Sequence, residues 1–352
     1  MLRPPESGKD AQLIELGWTP FFSSQLSPDE RASMCPVRVM AVHRGKIAVA
    51  GLMAGAVSER LIPPYIARAE GEENAHATVG DWLLIDEATS QIARILRRFS
   101  LFSRRTPGNQ RKMQLLAANI DTLFIVASCD QDFNPARLER YLVMAREVGV
   151  TPVIVLTKAD RTDNPETFAA TARALQADLK VIAVNGKDLA SAGRLAAWCG
   201  QGQTVALMGS SGVGKSTLIK TLTGSERIIT QAVRDGDGKG RHTTTVREMH
   251  RLDQGGWLMD TPGMRELHLA EAAEGLAEVF DDILTLARQC RFFNCGHDIE
   301  PDCNVKAAIA AGELDPARFT RWRKLTSDYG ASAEGRIMAT RHARNRVRSS
   351  HR

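Results

Sequence analysis

Cysteine and aromatic residues are scarce in this sequence, and long apolar runs are missing. Six cysteines in 352 residues are too few for a disulfide-stapled secreted scaffold. Nowhere do roughly 18 apolar residues follow one another, the minimum for a membrane helix. The opening MLRPPESGKDAQ lacks the apolar core of a secretory signal. A cytoplasmic location without membrane contact is therefore expected. There is also no large excess of one charge. A net charge of +5 permits a polyanionic partner such as RNA without requiring one. With 43% hydrophobic and 25% charged residues, the composition excludes disorder over most of the length. A chain this long accommodates two to three domains at roughly 100 to 200 residues each.

The text changes character several times. Residues 1–35 contain Pro, Ser and charge around one apolar patch, LIELGWTPFF, as in an arm that packs on a neighbour. Residues 36–110 hold short β-rich runs separated by turn residues, the first two joined as a hairpin around Arg44 and Gly45. This pattern suits a small OB-type Greek-key barrel, used either to bind oligonucleotides or as a spacer. In residues 111–275 the runs DTLFIVASC, TPVIVLTKAD, LKVIAVN, QTVALMGSS and GWLMD alternate with amphipathic segments. Such alternation predicts a parallel sheet with helices on both faces. One of these helices is well punctuated, with Asn134 as N-cap, Pro135 at the first helical position and Gly149 as terminator. Residues 276–335 form a helical module around a Cys/His segment, and residues 336–352 a basic tail.

The chemistry concentrates in a few motifs. Gly209, Ser210, Ser211, Gly212, Val213, Gly214, Lys215, Ser216 and Thr217 satisfy GxxxxGK[ST] between an apolar run and a helical run. There, backbone N–H groups at a helix N-terminus meet phosphate oxygens, Lys215 supplies positive charge, and Ser216 can ligate Mg²⁺. Thr157, Lys158, Ala159 and Asp160 match the [NT]KxD pattern of guanine recognition. The Asp160 carboxylate accepts from the guanine ring N–H and amine, while the Lys158 stem lies along the base. Adenine lacks that pair of donors, so GTP is favoured over ATP. The serine-alanine loop that completes such a pocket is expected after the next strand, where Val184-Asn185-Gly186 stands instead.

DTPG, from Asp260 to Gly263, ends an apolar run where phosphoryl transfer needs a carboxylate near Mg²⁺ and an N–H near the γ-phosphate. Residues 234–248, with glycines at 236, 238 and 240 and then three threonines, read as a switch loop. Thr244 or Thr245 can reach Mg²⁺ there. His242 is either a residue that approaches the attacking water or a solvated residue of a basic loop. Met264 stands where many GTPases place a water-orienting glutamine, and a thioether cannot do that work. TKAD precedes the P-loop, so the motif order is circularly permuted. DTPG then leads directly into the C-terminal module.

Cys290, Cys295, His297 and Cys303 form a Cys₃His set at short spacing. That donor set suits one structural zinc per chain, with no position left open for a reacting water. Cys35, Cys129 and Cys199 are expected to be small buried hydrophobes. Arginines 336, 341, 344, 346, 348 and 352 occur without acidic company, as in an RNA-contacting tail or a solvated terminus.

Taken together, VGDW (79–82), SLFSRR (100–105), TKAD, GSSGVGKST, GRHTTT (240–245), DTPGMRE (260–266) and the Cys/His pattern of 290–303 resemble the RsgA (YjeQ) family of circularly permuted GTPases. The resemblance spans almost the whole chain. It implies an OB barrel, a permuted GTPase and a zinc module, hydrolysing GTP to GDP and phosphate. It further implies a role late in maturation of the small (30S) ribosomal subunit, in contact with its rRNA. A monomer is expected. The competing reading is a non-ribosomal RNA-binding module in which nucleotide is only structural.

Overall fold

The computed structural model describes residues 8–43, 45–53, 56–63, 76–86, 88–89, 91–106, 109–224, 247–260 and 272–329. In chain order the elements are α1 (Gly8–Glu15), α2 (Pro20–Ser23), α3 (Pro28–Ser33), β1 (Met34–His43), β2 (Lys46–Met53), β3 (Ala56–Ile62), β4 (Trp82–Asp86), β5 (Ile92–Ile95), β6 (Leu101–Thr106) and β7 (Asn109–Ala118). There follow β8 (Thr122–Ser128), α4 (Pro135–Glu147), β9 (Thr151–Thr157), α5 (Pro165–Arg173), β10 (Lys180–Ala183), α6 (Leu189–Ala192), β11 (Thr204–Met208) and α7 (Lys215–Thr223). The chain continues through β12 (Arg247–Arg251), β13 (Trp257–Asp260), α8 (Ala273–Val279), α9 (Asp281–Ala287), α10 (Asn304–Ala310) and α11 (Pro316–Asp328). These elements group into two compact units. The first comprises Met1–Phe133, Val150–Ala169 and Lys180–His268, and the second Asn134–Gly149, Ala170–Leu179 and Leu269–Arg352.

In the first unit, the barrel strands alternate their apolar residues inward. Val37, Val39, Ile47, Val49, Ile62, Leu83 and Ile85 make one core. β1 and β2 pair as the expected antiparallel hairpin, closing at His43 and Lys46. The N-terminal arm covers one side of this barrel. Trp18 and Phe22 pack on Trp82 with ring centroids 4.7 and 5.7 Å apart. The arm's third helix is fixed by a Ser27/Glu30 capping box and by Arg94, whose Nε donates to Glu30 Oε1 at 2.8 Å.

The second group of strands in this unit runs β10-β9-β8-β11-β13-β12 and continues without a break into β1-β2-β3. β8, β9 and β11 are buried along nearly their whole length, which explains their unbroken apolar text. The sheet is parallel from β10 to β13. The expected parallel sheet is thus present, and β12 adds one strand antiparallel to β13 and to β1. Its sequence, REMHR, is mostly polar with Met249 buried, and it lies next to the glycine-rich segment that masked it in the sequence. Val184, Ala192, Leu195, Leu218, Ile219 and Leu222 join Phe124, Val126, Val153, Val155 and Val205 in the core that seats α7 on the sheet.

Arg38 on β1 is 1% exposed. Its guanidinium donates to the Leu16 carbonyl at 2.5 Å, to Thr204 Oγ1 at 2.8 Å and to the Asn119 carbonyl at 3.3 Å. One side chain thus ties the arm, the barrel and the start of β11. Burial pushes it down to about 10, with the Asp121 and Asp81 carboxylates opposing that shift. At that value Arg38 remains charged at neutral pH.

In the second unit, α4 packs against α8 so closely that a Cβ on Gly275 would overlap the Val143 carbonyl oxygen. The Gly275 N–H donates to Glu147 Oε2 at 2.8 Å. Glu139 of α4 is fully buried. It accepts from Arg318 Nη1 at 3.0 Å and from Arg321 Nε at 2.6 Å, while Arg318 Nε also bonds Asp282 Oδ2 at 2.7 Å.

Candidate guanine-nucleotide site and metal centre

The P-loop follows β11, and α7 begins at Lys215. Gly214 is its N-cap at φ +93, a left-handed backbone that glycine enters without steric cost. A Cβ there would press on Thr157 Oγ1 at 3.3 Å. Lys215 Nζ donates to the Gly209 carbonyl at 2.8 Å and also to the Ser210 carbonyl. The ammonium is therefore folded over the loop's own oxygens. Ser216 and Thr217 stand partly buried in the first turn of α7.

Although fifty residues separate TKAD from the P-loop, the two meet in space. The Thr157 hydroxyl bonds the Ala127 carbonyl at 3.2 Å and also the Val213 carbonyl within the P-loop. Lys158 follows in a left-handed conformation at φ +57, and residues 159–161 make one 3₁₀ turn. That turn leaves Asp160 exposed at the end of the sheet. The Val184-Asn185-Gly186 loop lies beside both motifs. The Ala159 N–H donates to the Val184 carbonyl at 3.3 Å, and Thr221 Oγ1 of α7 donates to the Gly186 carbonyl at 2.7 Å.

Sequence reasoning missed Asp130, just beyond β8. Its Oδ2 holds Lys158 Nζ at 2.8 Å, and its Oδ1 accepts from Ser128 Oγ at 2.7 Å and from the Asp132 N–H at 3.0 Å. Burial alone would raise this carboxyl. The bonds from Lys158, Ser128 and Asp132 outweigh it and hold the group below its ordinary value. The available signal was an acidic residue in the loop at the carboxyl end of a buried parallel strand, where ligand sites in open α/β sheets gather.

Asp260 closes β13 with its backbone paired to Glu248, and its side chain lies outside the described residues. The same holds for His242, Thr244, Thr245, Gly263, Met264 and the tail of 336–352. Residues 247 and 248, read as the end of the switch loop, belong instead to β12.

Cys290, Cys295, His297 and Cys303 bring one ligand atom each to within 4.8 Å of one another. His297 Nδ1 is 3.4 Å from Cys303 Sγ and 3.6 Å from Cys290 Sγ. His297 has φ +59, and its ring lies against Phe319 and Trp322. Glu300 accepts from the Gly296 and Asp298 N–H groups and so braces the ligand loop. Burial, with the neighbouring Cys303 and Cys290 thiols, pushes the Cys295 thiol up to about 11. The four donors fit a metal ion. The other cysteines, Cys35, Cys129 and Cys199, are buried.

A P-loop on the middle strand, a TKAD motif on a strand supplied earlier in the chain, and a sheet ordered around both define a circularly permuted GTPase. Comparison with known proteins agrees. The RsgA GTPase family model matches residues 95–270. The small ribosomal subunit biogenesis GTPase RsgA of Mesorhizobium japonicum is 46% identical, over 90% of this chain and 89% of that protein. RsgA 2 of Vibrio parahaemolyticus is 43% identical over 95% and 90%. The crystal structure of YjeQ from Thermotoga maritima superimposes with a TM-score of 0.61 at 22% identity, covering 84% of this chain and 98% of that one. YloQ, described as a circularly permuted GTPase, gives 0.60 over 84% and 95%. The chain belongs to the RsgA GTPase family and is a GTP-hydrolysing enzyme. Among the described residues no helix is long and apolar enough to cross a membrane.

Proposed function

We propose that this GTPase acts in the cytoplasm, as a monomer, in late maturation of the small ribosomal subunit, with rRNA as the surface it contacts. The observation that carries the nucleotide part is the Thr157 hydroxyl joining TKAD to the P-loop. The ribosomal part rests on the names of relatives 43% and 46% identical over nearly the whole chain. In this reading residues 36–110 and the tail of 336–352 contact rRNA, residues 111–275 hydrolyse GTP, and residues 276–335 form the metal-braced module.

The residues divide the work as follows. The loop N–H groups of Gly209 to Thr217 take the α- and β-phosphates, and Lys215 exchanges two neutral carbonyls for charged phosphate oxygens, which are stronger acceptors. Ser216 and Asp260 would hold Mg²⁺, which would supply positive charge against that developing on the phosphates. Thr244 or Thr245 would add a hydroxyl to Mg²⁺, the Gly263 N–H would meet the γ-phosphate, and His242 either approaches the water or is a solvated residue of the basic loop. Asp160 reads guanine. The Cys₃His centre would take one zinc, held for structure.

The test is sedimentation with purified small subunits in the presence of a non-hydrolysable GTP analogue or GDP, together with single-turnover hydrolysis. Analogue-dependent co-sedimentation and faster turnover on the subunit are expected. Binding to neither state would remove the ribosomal reading and leave the nucleotide as a structural element.

A further inference from the structure

The Lys158 side chain ends on the Asp130 carboxylate. The lysine backbone is already fixed, at φ +57 beside the buried Thr157. What remains is a four-carbon stem whose far end is held by Asp130 Oδ2 at 2.8 Å. Asp130 in turn is held at its other oxygen by Ser128 Oγ and the Asp132 N–H. The carboxylate thus has one lobe anchored to its own loop and one lobe committed to the lysine. An isolated half-exposed ion pair of this kind stabilises a fold little. No other described acidic group is paired with the Lys158 ammonium.

We propose that Asp130 is a positioning residue for guanine recognition, which holds the Lys158 stem stretched so that it forms one wall of the base site before nucleotide arrives. This deepens the assignment of TKAD above and rests on it. The physical benefit is preorganisation. A free lysine loses rotamer entropy when a base stacks on it, and a lysine already pinned at its ammonium has lost most of that freedom beforehand. Because Asp130 acts on the base side of the nucleotide, its contribution is the same for GDP and GTP and does not enter the chemical step.

The test measures equilibrium binding of fluorescent GDP and of a non-hydrolysable GTP analogue to the full-length protein, alongside steady-state hydrolysis. Asp130→Asn is expected to weaken both nucleotides alike by about three- to tenfold, raising KM while kcat stays within about twofold. Asp130→Glu is expected to recover part of the loss. Ser128→Ala, which frees the far lobe, should give a smaller loss of the same kind and serves if Asp130→Asn folds poorly. In a Lys158→Met background the Asp130→Asn penalty should vanish, because the two residues act as one unit. Unchanged affinities, a change in kcat alone, or an equal penalty without the lysine would each overturn the proposal. Asp160→Asn is the control for the reading beneath it. If that variant fails to shift preference from guanine to xanthine nucleotides, TKAD itself is misassigned. If it shifts while Asp130→Asn binds normally, only the role of Asp130 falls.

Discussion

At the scale of single residues, the nucleotide site depends on groups whose partners are far away in sequence. Thr157 is the clearest case, because its single hydroxyl proton is shared between carbonyls of two different segments. Thr157→Val keeps the shape and deletes the hydroxyl, leaving buried carbonyls short of a partner at a cost of about 1–3 kcal/mol. The expected result is a lower thermal midpoint together with weaker binding of both GDP and GTP, since the P-loop loses its brace. A midpoint shift with normal nucleotide affinity would mean that the hydroxyl stabilises the sheet and not the loop. Arg38 illustrates the opposite situation. Its buried charge lies outside the nucleotide motifs, yet it bonds the side chain of Thr204, the first residue of the strand that carries the P-loop.

Among the elements, α4 shows what can and cannot be read from sequence. Its ends were legible because capping is local. The Asn134 side chain accepts from the Arg137 N–H at 3.1 Å, Pro135 opens the helix, and Gly149 has φ +72 just past its end. Its allegiance was not legible. PARLERYLVMARE reads as a helix with a charged outer face, but Glu139 is buried against Arg318 and Arg321 in one compact unit with the Cys/His module. Glu139→Ala would leave Arg318 with Asp282 alone and Arg321 with only the more distant Asp315, with an expected loss of about 1–3 kcal/mol. Urea unfolding followed by circular dichroism would measure it. A loss below about 1 kcal/mol would show the network to be solvated. The motifs themselves, GSSGVGKST, TKAD and the Cys₃His set, were legible because each is a short run with its chemistry on its face. β12 was not, since its pairing comes from neighbours on both sides and not from its own polar text. Asp130 was hidden for a related reason, its meaning being supplied by a lysine 28 residues away.

For the molecule as a whole, the metal centre is the cheapest point at which to intervene. Protein purified without chelator is expected to carry one zinc per chain, and stripping it is expected to unfold the ligand loop, where His297 and Asp302 both occupy left-handed backbone. Metal analysis and the thermal midpoint of stripped and reloaded protein would check this. A stripped protein that melts unchanged would mean the Cys/His cluster is held by its packing. The continuous path from β10 to β3 bears on a different matter, the order in which a ribosome delivers the chain. β8, β9 and β10 leave the exit tunnel before β11, the strand that must lie between β8 and β13. Until residue 208 has emerged, one edge of β8 has no partner. The end of β1 waits longer still, since Ala41 and Val42 pair with Glu248 and Arg247. Open strand edges are templates for wrong pairing, so a nascent chain of this protein stalled before β11 should be far more prone to aggregate than the finished one.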